Sequence, residues 1–181
     1  NMGTMCRICE RHDLAYAIYE KSAEEFHRAE DTTAYAYALN NMAWELAVQG
    51  QKEQATALAD SACKVCPSNE VQNKTIETRA AACLYNAEYD STIYYANIIP
   101  IKSAYFDILK AQAYTFKQQC DSAMFYAQRV AEQTNNPRYI DDAYYILTHC
   151  DSTAAPEDLR LLSAQRADVQ RQLERNQAEW I

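Results

Sequence analysis

Residues 39 to 67 carry small and apolar side chains at spacings that predict two helices folded back on one another. The pattern consists of eight residues, namely Leu39, Ala43, Leu46, Gly50, Ala55, Ala59, Ala62 and Pro67. The first three share one face of a helix, and the three alanines form a stripe along a second helix. Gly50 stands where the first helix must end, and Pro67 stops the second. Small residues at these places let two helices approach closely and stack on another pair, so the segment predicts one hairpin of a larger stack.

The chain also matches itself when it is shifted by about one hairpin. A shift of 31 residues puts apolar residues on apolar residues and helix-start residues on helix-start residues. The matching pairs are Ala80 with Ala111, Ala82 with Ala113, Tyr85 with Phe116, Asp90 with Asp121, Ser91 with Ser122, Tyr94 with Phe125, Tyr95 with Tyr126, Ala96 with Ala127 and Ile99 with Val130. A further shift of 30 residues carries the run Cys120, Asp121, Ser122 onto Cys150, Asp151, Ser152, and the match fades at Pro156. The sequence therefore predicts a series of repeated helical units.

The hairpin at residues 39 to 67 resembles the tetratricopeptide repeat family, which it matches at seven of eight usual positions. Ala59 departs from the family, because a bulkier residue is typical there. The later units are shorter than the family's usual period of about 34 residues, and their turns lack glycine, so they are tetratricopeptide-like. The resemblance implies an all-α fold, a right-handed superhelix of stacked antiparallel helical hairpins.

Turn-forming residues are scarce, with two Gly and four Pro among 181 residues. That is too few for a sheet-rich domain and ample for helices that are tightly joined. Hydrophobic residues make up 49 % of the chain, which allows a continuous core, and we expect one elongated domain. Ten helices are predicted, over residues 3–10, 13–30, 32–49, 52–66, 69–87, 91–99, 102–118, 121–134, 137–150 and 157–180. Pro100 and Pro137 are predicted to lie in turns between repeats.

The segment from Glu157 to Trp180 is longer and more charged than the other predicted helices. Its apolar seam, interrupted by Arg166 and Asn176, consists of Leu159, Leu162, Val169, Leu173 and Trp180. We predict a helical repeat domain over residues 1–155 and a C-terminal capping or connector helix over residues 156–181. The start of a coiled coil is the alternative.

The formal net charge of −8 disfavours nucleic acid as a partner, because phosphate backbones are bound by clustered Lys and Arg. No apolar run approaches the roughly 20 residues of a membrane span, and no signal peptide is visible. We expect this segment to be soluble and without membrane contact. It opens on Asn1 and closes on Trp180 and Ile181 inside an unfinished helix, so we also expect a fragment of a longer chain.

Seven cysteines are present, and Cys6 with Cys9 and Cys63 with Cys66 form two C-x-x-C motifs. A zinc ribbon places its pairs about 15 to 20 residues apart, whereas these pairs lie far apart in predicted helices. A metal site of Cys6, Cys9 and His12 is geometrically conceivable, but free cysteines that pack as small apolar residues are the default interpretation. We therefore predict no metal and no cofactor, and the odd cysteine count favours a reducing, cytoplasmic compartment.

Catalytic motifs are absent from the sequence. Because Gly3 and Gly50 are the only glycines, there is no Gly-rich phosphate loop, and no H-E-x-x-H, EF-hand or nucleophile-elbow motif occurs. His12, His27 and His149 are far from one another in the chain. The sequence predicts no enzyme.

Several aspartates stand where predicted helices begin. Asp31, Asp90, Asp121 and Asp151 each precede Ser or Thr, and Asp13 occupies a similar place. We interpret them as helix caps, whose side-chain oxygens accept hydrogen bonds from the open N–H groups of the first turn. The alternative is that the Asp-Ser and Asp-Thr triplets resemble the acceptor pattern for O-glycosylation in exported Bacteroidetes proteins.

In tetratricopeptide proteins the first helix of each hairpin lines a groove that holds a peptide or a helix. The resemblance assigns seven residues to this groove, namely Tyr37, Asn40, Asn41, Trp44 and Val48 in the well-matched hairpin and Tyr105 and Gln112 in the weaker unit. Chaperone-binding members clamp a C-terminal carboxylate with Lys and Arg, and the matching positions here lack these bases. Trp44 has a second interpretation as a residue that packs between helices.

We therefore expect a non-catalytic scaffold that binds a protein or a peptide. The alternative is a sensor or regulatory segment of a membrane-anchored bacterial signalling or transcription-regulatory protein, resembling the Bacteroidetes regulators that carry tetratricopeptide-like repeats. In that case the segment would be periplasmic or exported. A metal-dependent or redox role of the C-x-x-C pairs is a third hypothesis.

Overall fold

A computed structural model describes residues 2–9, 11–99, 103–134 and 136–150, and in these residues it contains helices and the turns that join them. The helices are α1 (Met2–Ile8), α2 (His12–Arg28), α3 (Thr32–Val48), α4 (Lys52–Val65), α5 (Asn69–Tyr85), α6 (Tyr89–Ile98), α7 (Ala104–Phe116), α8 (Cys120–Gln133) and α9 (Pro137–Cys150). Each bound lies within two residues of the prediction, so the all-α fold is confirmed. The predicted helix 157–180 and Pro100 lie outside the described residues.

The chain divides into two compact units, Asn1–Ile99 and Pro100–Ile181. Within the first unit, consecutive helices from α1 to α6 pack against one another, and α3 also packs against α5. Within the second, α7 packs against α8 and α9, and α8 packs against α9. Among the described residues, the hairpins α3–α4 and α5–α6 stack through α3 and α5, and the hairpin α7–α8 stacks through α7 on α9. The predicted boundary between residues 155 and 156 lies outside the described residues and stays a prediction.

Alanines fill the places where helices approach most closely. Ala43, Ala55, Ala59 and Ala62 from the predicted hairpin are fully buried, and Leu39 is nearly so. The unusually small residue at position 59 has a structural use, because the Thr75 hydroxyl of α5 donates a hydrogen bond of 3.2 Å to its carbonyl oxygen. A bulkier side chain at this position would hold α5 away from α4 and break that contact.

Four helix connections share one turn geometry. The residue after the C-cap of α2, α3, α5 and α7 has a left-handed backbone, with φ of 56° at Glu30, 76° at Gly50, 60° at Ala87 and 59° at Gln118. The next residue donates its N–H back into the helix just completed, as from Gln51 to the Leu46 carbonyl at 2.9 Å. Connections after α4 and α8 leave through extended residues instead, Cys66 before Pro67 and Thr134 before Pro137. Pro137 is the first residue of α9, where its missing N–H costs nothing.

The turn geometry corrects part of the capping prediction. Asp31 does cap α3, and its carboxylate accepts from the Ala34 N–H at 2.9 Å. Asp13, Asp90 and Asp121 instead lie at the second helical residue, in the first turn. In front of α6 and α8, the residue that follows the left-handed position is already the N-cap, so Asp90 and Asp121 lie two residues too late to cap. There they still favour the helix by standing near the positive end of its dipole.

The N-caps in front of these aspartates are Arg11, Glu88 and Gln119, and none of the three makes a side-chain capping hydrogen bond. Ser68 and Ser103 cap α5 and α7. Asp151 lies outside the described residues, so its capping role stays a prediction.

Candidate partner-binding face

One stripe of α3 reaches solvent while the rest of the helix is enclosed. Between residues 36 and 48 every side chain is buried except those of Tyr37, Asn41, Trp44, Leu46 and Val48, which are half-buried. Four of these, Tyr37, Asn41, Trp44 and Val48, follow one another at intervals of four, three and four residues, which places them on one face. We call these four residues the α3 stripe. They are four of the five α3 residues that the sequence assigns to a groove.

The fifth predicted residue, Asn40, lies inside the fold. It is 5 % exposed, and its amide oxygen accepts a hydrogen bond of 3.1 Å from the Thr78 hydroxyl of α5. Asn40 therefore ties α3 to α5 and does not form part of the α3 stripe.

The first end of the stripe meets charged residues of α5. The Tyr37 hydroxyl donates a hydrogen bond of 2.6 Å to the Glu70 carboxylate. This hydrogen bond is the main reason why the pKa of Tyr37 is raised, so the hydroxyl stays protonated. Lys74 and Glu77, also on α5, form an ion pair of 2.6 Å. By their spacing along α5, Lys74 and Glu77 share the face of the helix that carries Glu70.

Arg7 of α1 packs on the middle of the stripe. Its guanidinium carbon lies 4.3 Å from the centre of the Trp44 ring and 5.2 Å from the ring of buried Tyr19, which are cation–π distances. Arg7 Nη2 also lies 3.4 Å from the Asn41 amide oxygen. Trp44 therefore packs against α1 through Arg7 and is half-buried, which agrees with its interpretation as a residue that packs between helices. Its role in partner binding stays a prediction.

Below the stripe, Glu45 is fully buried and contacts two basic side chains. Arg7 Nε donates to one carboxylate oxygen at 2.6 Å, and His12 Nδ1 lies 2.8 Å from the other. A buried carboxylate is costly unless it is paired, and here α1 and α2 supply both partners. The sequence analysis missed Glu45, although it is the one charged residue in the 17 residues of α3, which is a usable signal.

In the second unit, Tyr105 and Gln112 are half-buried on α7, and every residue between them is buried. The Gln112 amide donates a hydrogen bond of 3.0 Å to Asp142 of α9. The Tyr105 ring centre lies 6.0 Å from that of Tyr139, also on α9. The two predicted residues thus share a face of α7 beside α9, as the α3 stripe lies beside α5.

Within the part of the chain that the structure describes, no group of three or more His, Cys, Asp and Glu could hold a metal ion. His12, the conceivable third ligand beside Cys6 and Cys9, has its Nδ1 directed at Glu45. All seven cysteines are free thiols. Cys83 is buried, and four half-buried cysteines pack against the core clusters, namely Cys6, Cys63, Cys66 and Cys150. This packing agrees with the default interpretation, whereas Cys9 is exposed. His149 Nδ1 hydrogen-bonds to the Tyr145 carbonyl at 2.8 Å.

No helix among the described residues has the length and apolar character needed to cross a membrane.

No protein-family model matches the chain, and no curated protein matches it either. A solved structure titled "MamA RS-1 ArsTM double mutant", a helical repeat protein of the tetratricopeptide type, has a similar fold. The chain has a tetratricopeptide-like fold. The similarity covers 93 % of this chain and 92 % of that one, with a TM-score of 0.56 and 17 % sequence identity. At this identity it shows the fold alone, and it gives no support to kinship with the Bacteroidetes regulators.

Proposed function

We propose that this chain is a non-catalytic protein-interaction scaffold that holds a protein or peptide segment along the α3 stripe. The observation that carries the proposal is that α3, enclosed over most of its surface, keeps one solvent-reaching stripe. Four of the five α3 residues that the family resemblance assigns to a ligand groove form this stripe. The Tyr105 and Gln112 face of α7 is the corresponding surface of the second unit. Aromatic rings, an amide and a valine give such a surface both contact area and hydrogen bonds.

The charges around the stripe indicate what kind of partner fits it. Arg7, the cation nearest its centre, is already paired with the buried Glu45 carboxylate. Lys74 is likewise paired with Glu77. A partner is therefore recognised through apolar side chains and hydrogen bonds. Because Arg7 and Lys74 are both already paired, neither is available to bind a C-terminal carboxylate. We expect an affinity that depends only weakly on salt.

Site-specific photo-crosslinking tests the proposal and identifies the partner in the same experiment. A benzophenone amino acid at Val48, in the α3 stripe, is compared with the same group at Ala57, an exposed residue of α4. After irradiation in an extract of the source organism, we expect a protein that is crosslinked from position 48 and not from position 57. The captured segment is then synthesised and titrated against the purified chain.

Two variants with a matched control decide whether the stripe provides the binding energy. Tyr37→Ala and Val48→Asp are expected to weaken binding of the segment by about 10-fold or more. Tyr94→Ala on α6 removes an aromatic ring that is 64 % exposed and lies outside the stripe, and it should leave the affinity unchanged. Equal losses in all three variants, or none in the first two, would show that the stripe does not bind the segment.

A further inference from the structure

Cys120 and Cys150 lie at the same end of the adjacent helices α8 and α9. α8 begins at Cys120, α9 ends at Cys150, and both helices have 14 residues. Three residues link the two helices, and the helices pack against each other. A link this short requires them to run antiparallel, so the first residue of α8 comes back beside the last residue of α9.

The electrostatics of Cys150 agree with this placement. Its pKa is raised, first by burial and then by interaction with the Cys120 thiol. Cys150 also packs against the core cluster that contains Ala123, which lies one turn into α8. The backbone on both sides is helical up to the cysteines, so the side chains approach each other from fixed positions.

The same place in the first unit is held by contacts between a basic and an acidic side chain. His12, the first residue of α2, contacts Glu45 near the end of α3, and Lys52, the first residue of α4, contacts Glu88 just beyond α5. In each case the first residue of one helix contacts the C-terminal end of the next helix along the chain. At the equivalent place between α8 and α9 lie two thiols.

We propose that Cys120 and Cys150 form a modification site that closes to an intramolecular disulfide when a small-molecule disulfide such as glutathione disulfide is present. One cysteine thiolate attacks a sulfur of the oxidant, whose S–S bond breaks and releases one thiolate. The second cysteine thiolate attacks the protein sulfur of this mixed disulfide and releases the other. Two protein thiols are oxidised, and the oxidant is reduced to two thiols, which take up the two protons.

The structure also indicates how the disulfide behaves. Burial raises the pKa of the Cys150 thiol, so its thiolate is scarce at neutral pH and closure is expected to accelerate as the pH rises. Once formed, the bond restricts the unfolded chain over the whole segment from 120 to 150. We expect a higher melting temperature for the oxidised protein, by roughly 5 to 10 °C.

Oxidation of the folded chain with glutathione disulfide tests the proposal, followed by alkylation of the remaining thiols and peptide mapping. The expected product has lost two hydrogen atoms, carries a Cys120–Cys150 crosslink and has its other five cysteines alkylated. Dithiothreitol should reverse both the crosslink and the rise in melting temperature. Stable glutathione adducts on both cysteines, or a crosslink within either C-x-x-C motif in place of this one, would overturn the proposal.

Variants separate the proposed pair from general oxidation. Cys120→Ser and Cys150→Ser should each abolish the loss of two hydrogens, whereas Cys83→Ser, at a buried cysteine outside the pair, should retain it. An unchanged crosslink yield in either of the first two variants would contradict the assignment. Peptide mapping of the unmodified sequence remains decisive if a variant does not fold.

Discussion

At the scale of single residues, Glu45 shows how a buried charge is used to dock α1 and α2 onto α3. Both carboxylate oxygens are occupied, by Arg7 and by His12, and the side chain is fully buried. Replacing Glu45 with Ala leaves Arg7 and His12 facing a cavity without their counter-charge. We expect Glu45→Ala to lower the free energy of unfolding by about 3 kcal/mol.

Urea unfolding measures this loss, and Glu25→Ala, at an exposed glutamate of α2, is the matched control. The control should change stability by less than about 0.5 kcal/mol. If the two variants unfold at similar urea concentrations, Glu45 does not organise this end of the chain.

A second buried charge cluster, in the other unit, makes stability depend on pH. Burial lowers the pKa of Lys110 below its ordinary value, against the opposing effect of Asp107 at 3.8 Å, and Arg129 lowers it further. In the affected range the unfolded chain binds the Lys110 proton more tightly than the folded chain does. The contribution of Lys110 to stability therefore rises with pH.

Lys110→Met should remove that pH dependence. We expect the difference in unfolding free energy between the natural sequence and Lys110→Met to increase in favour of the natural sequence as the pH rises toward about 10.4, the ordinary pKa of lysine. The pKa of Tyr126, whose ring lies 4.9 Å from the Lys110 ammonium, is raised, so this hydroxyl titrates later than an ordinary tyrosine. Lys64→Met, at an exposed lysine, should give a difference that stays flat, and a flat difference for Lys110→Met would refute the interpretation.

At the scale of secondary structure elements, the left-handed turns allow a matched series of substitutions. Only Gly50 has the residue type that this backbone favours, while Ala87 and Gln118 adopt it with a side chain. A Cβ atom built on Gly50 meets nothing within 4 Å, so Gly50→Ala tests backbone conformation without a clash. We expect Gly50→Ala to destabilise the fold by about 1 kcal/mol.

Ala87→Gly and Gln118→Gly should each stabilise the fold by roughly 0.5 kcal/mol. Glycine removes the conformational strain of the left-handed backbone, and we expect this gain in free energy to exceed the cost of the greater entropy of the unfolded chain. Thermal and urea unfolding of the three variants check the series. Stabilisation by Gly50→Ala, or destabilisation by both glycine substitutions, would show that these turns are not under conformational strain.

Docking of the short helix α1 depends on the absence of a side chain at Gly3. A Cβ atom there would lie 2.6 Å from Cε1 of Tyr19, whose ring is buried and cannot easily move. We expect Gly3→Ala to displace α1 and withdraw Arg7 from the Trp44 ring. In a Trp180→Phe background, acrylamide quenching of Trp44 fluorescence should increase in Gly3→Ala.

Thr4→Ala is the control for that experiment, since it removes only a 3.4 Å contact between the Thr4 and Tyr19 hydroxyls and leaves the helix in place. Quenching in Thr4→Ala should match that of the Trp180→Phe parent. Identical quenching in all three proteins would mean that α1 does not cover Trp44.

Helices were predictable because their signals are local. The spacing of Ala55, Ala59 and Ala62, with Pro67 after them, fixes a helix and its end from neighbouring residues alone. The partner of Glu45 was not predictable in this way, because Arg7 lies 38 residues away in the chain. Asn40 and Asn41 illustrate the same dependence on residues that are distant in the chain. Asn40 is buried and bonded to Thr78 of α5, whereas its neighbour Asn41 is half-buried, and the local sequence does not distinguish the two.

At the scale of the whole molecule, one kind of side-chain contact recurs. It joins the first residue of the second helix of a hairpin to the end of the next helix along the chain. We expect the strength of this contact to increase with its burial. The tie of His12 reaches the fully buried Glu45, whereas Lys52 and Glu88 have side chains that are 29 % and 41 % exposed. His12→Ala leaves the buried Glu45 carboxylate with one hydrogen-bonding partner fewer, so we expect a loss of about 2 kcal/mol. Lys52→Ala breaks an ion pair that water already screens, and its cost should be less than about 1 kcal/mol.

Salt separates the two ties more sharply than their magnitudes do. Raising the salt concentration to about 1 M shortens the screening length to about 3 Å, which weakens the exposed pair and leaves a buried one largely intact. The cost of Lys52→Ala should therefore vanish in urea unfolding at high salt, while that of His12→Ala persists. If both costs fall together, salt screens the His12–Glu45 contact as well, and burial does not make this contact stronger than that of Lys52 with Glu88. If both costs persist at high salt, side-chain packing and not charge stabilises these two helix ends. Cys120 and Cys150 would then stabilise the equivalent place between α8 and α9 in the same way, through packing.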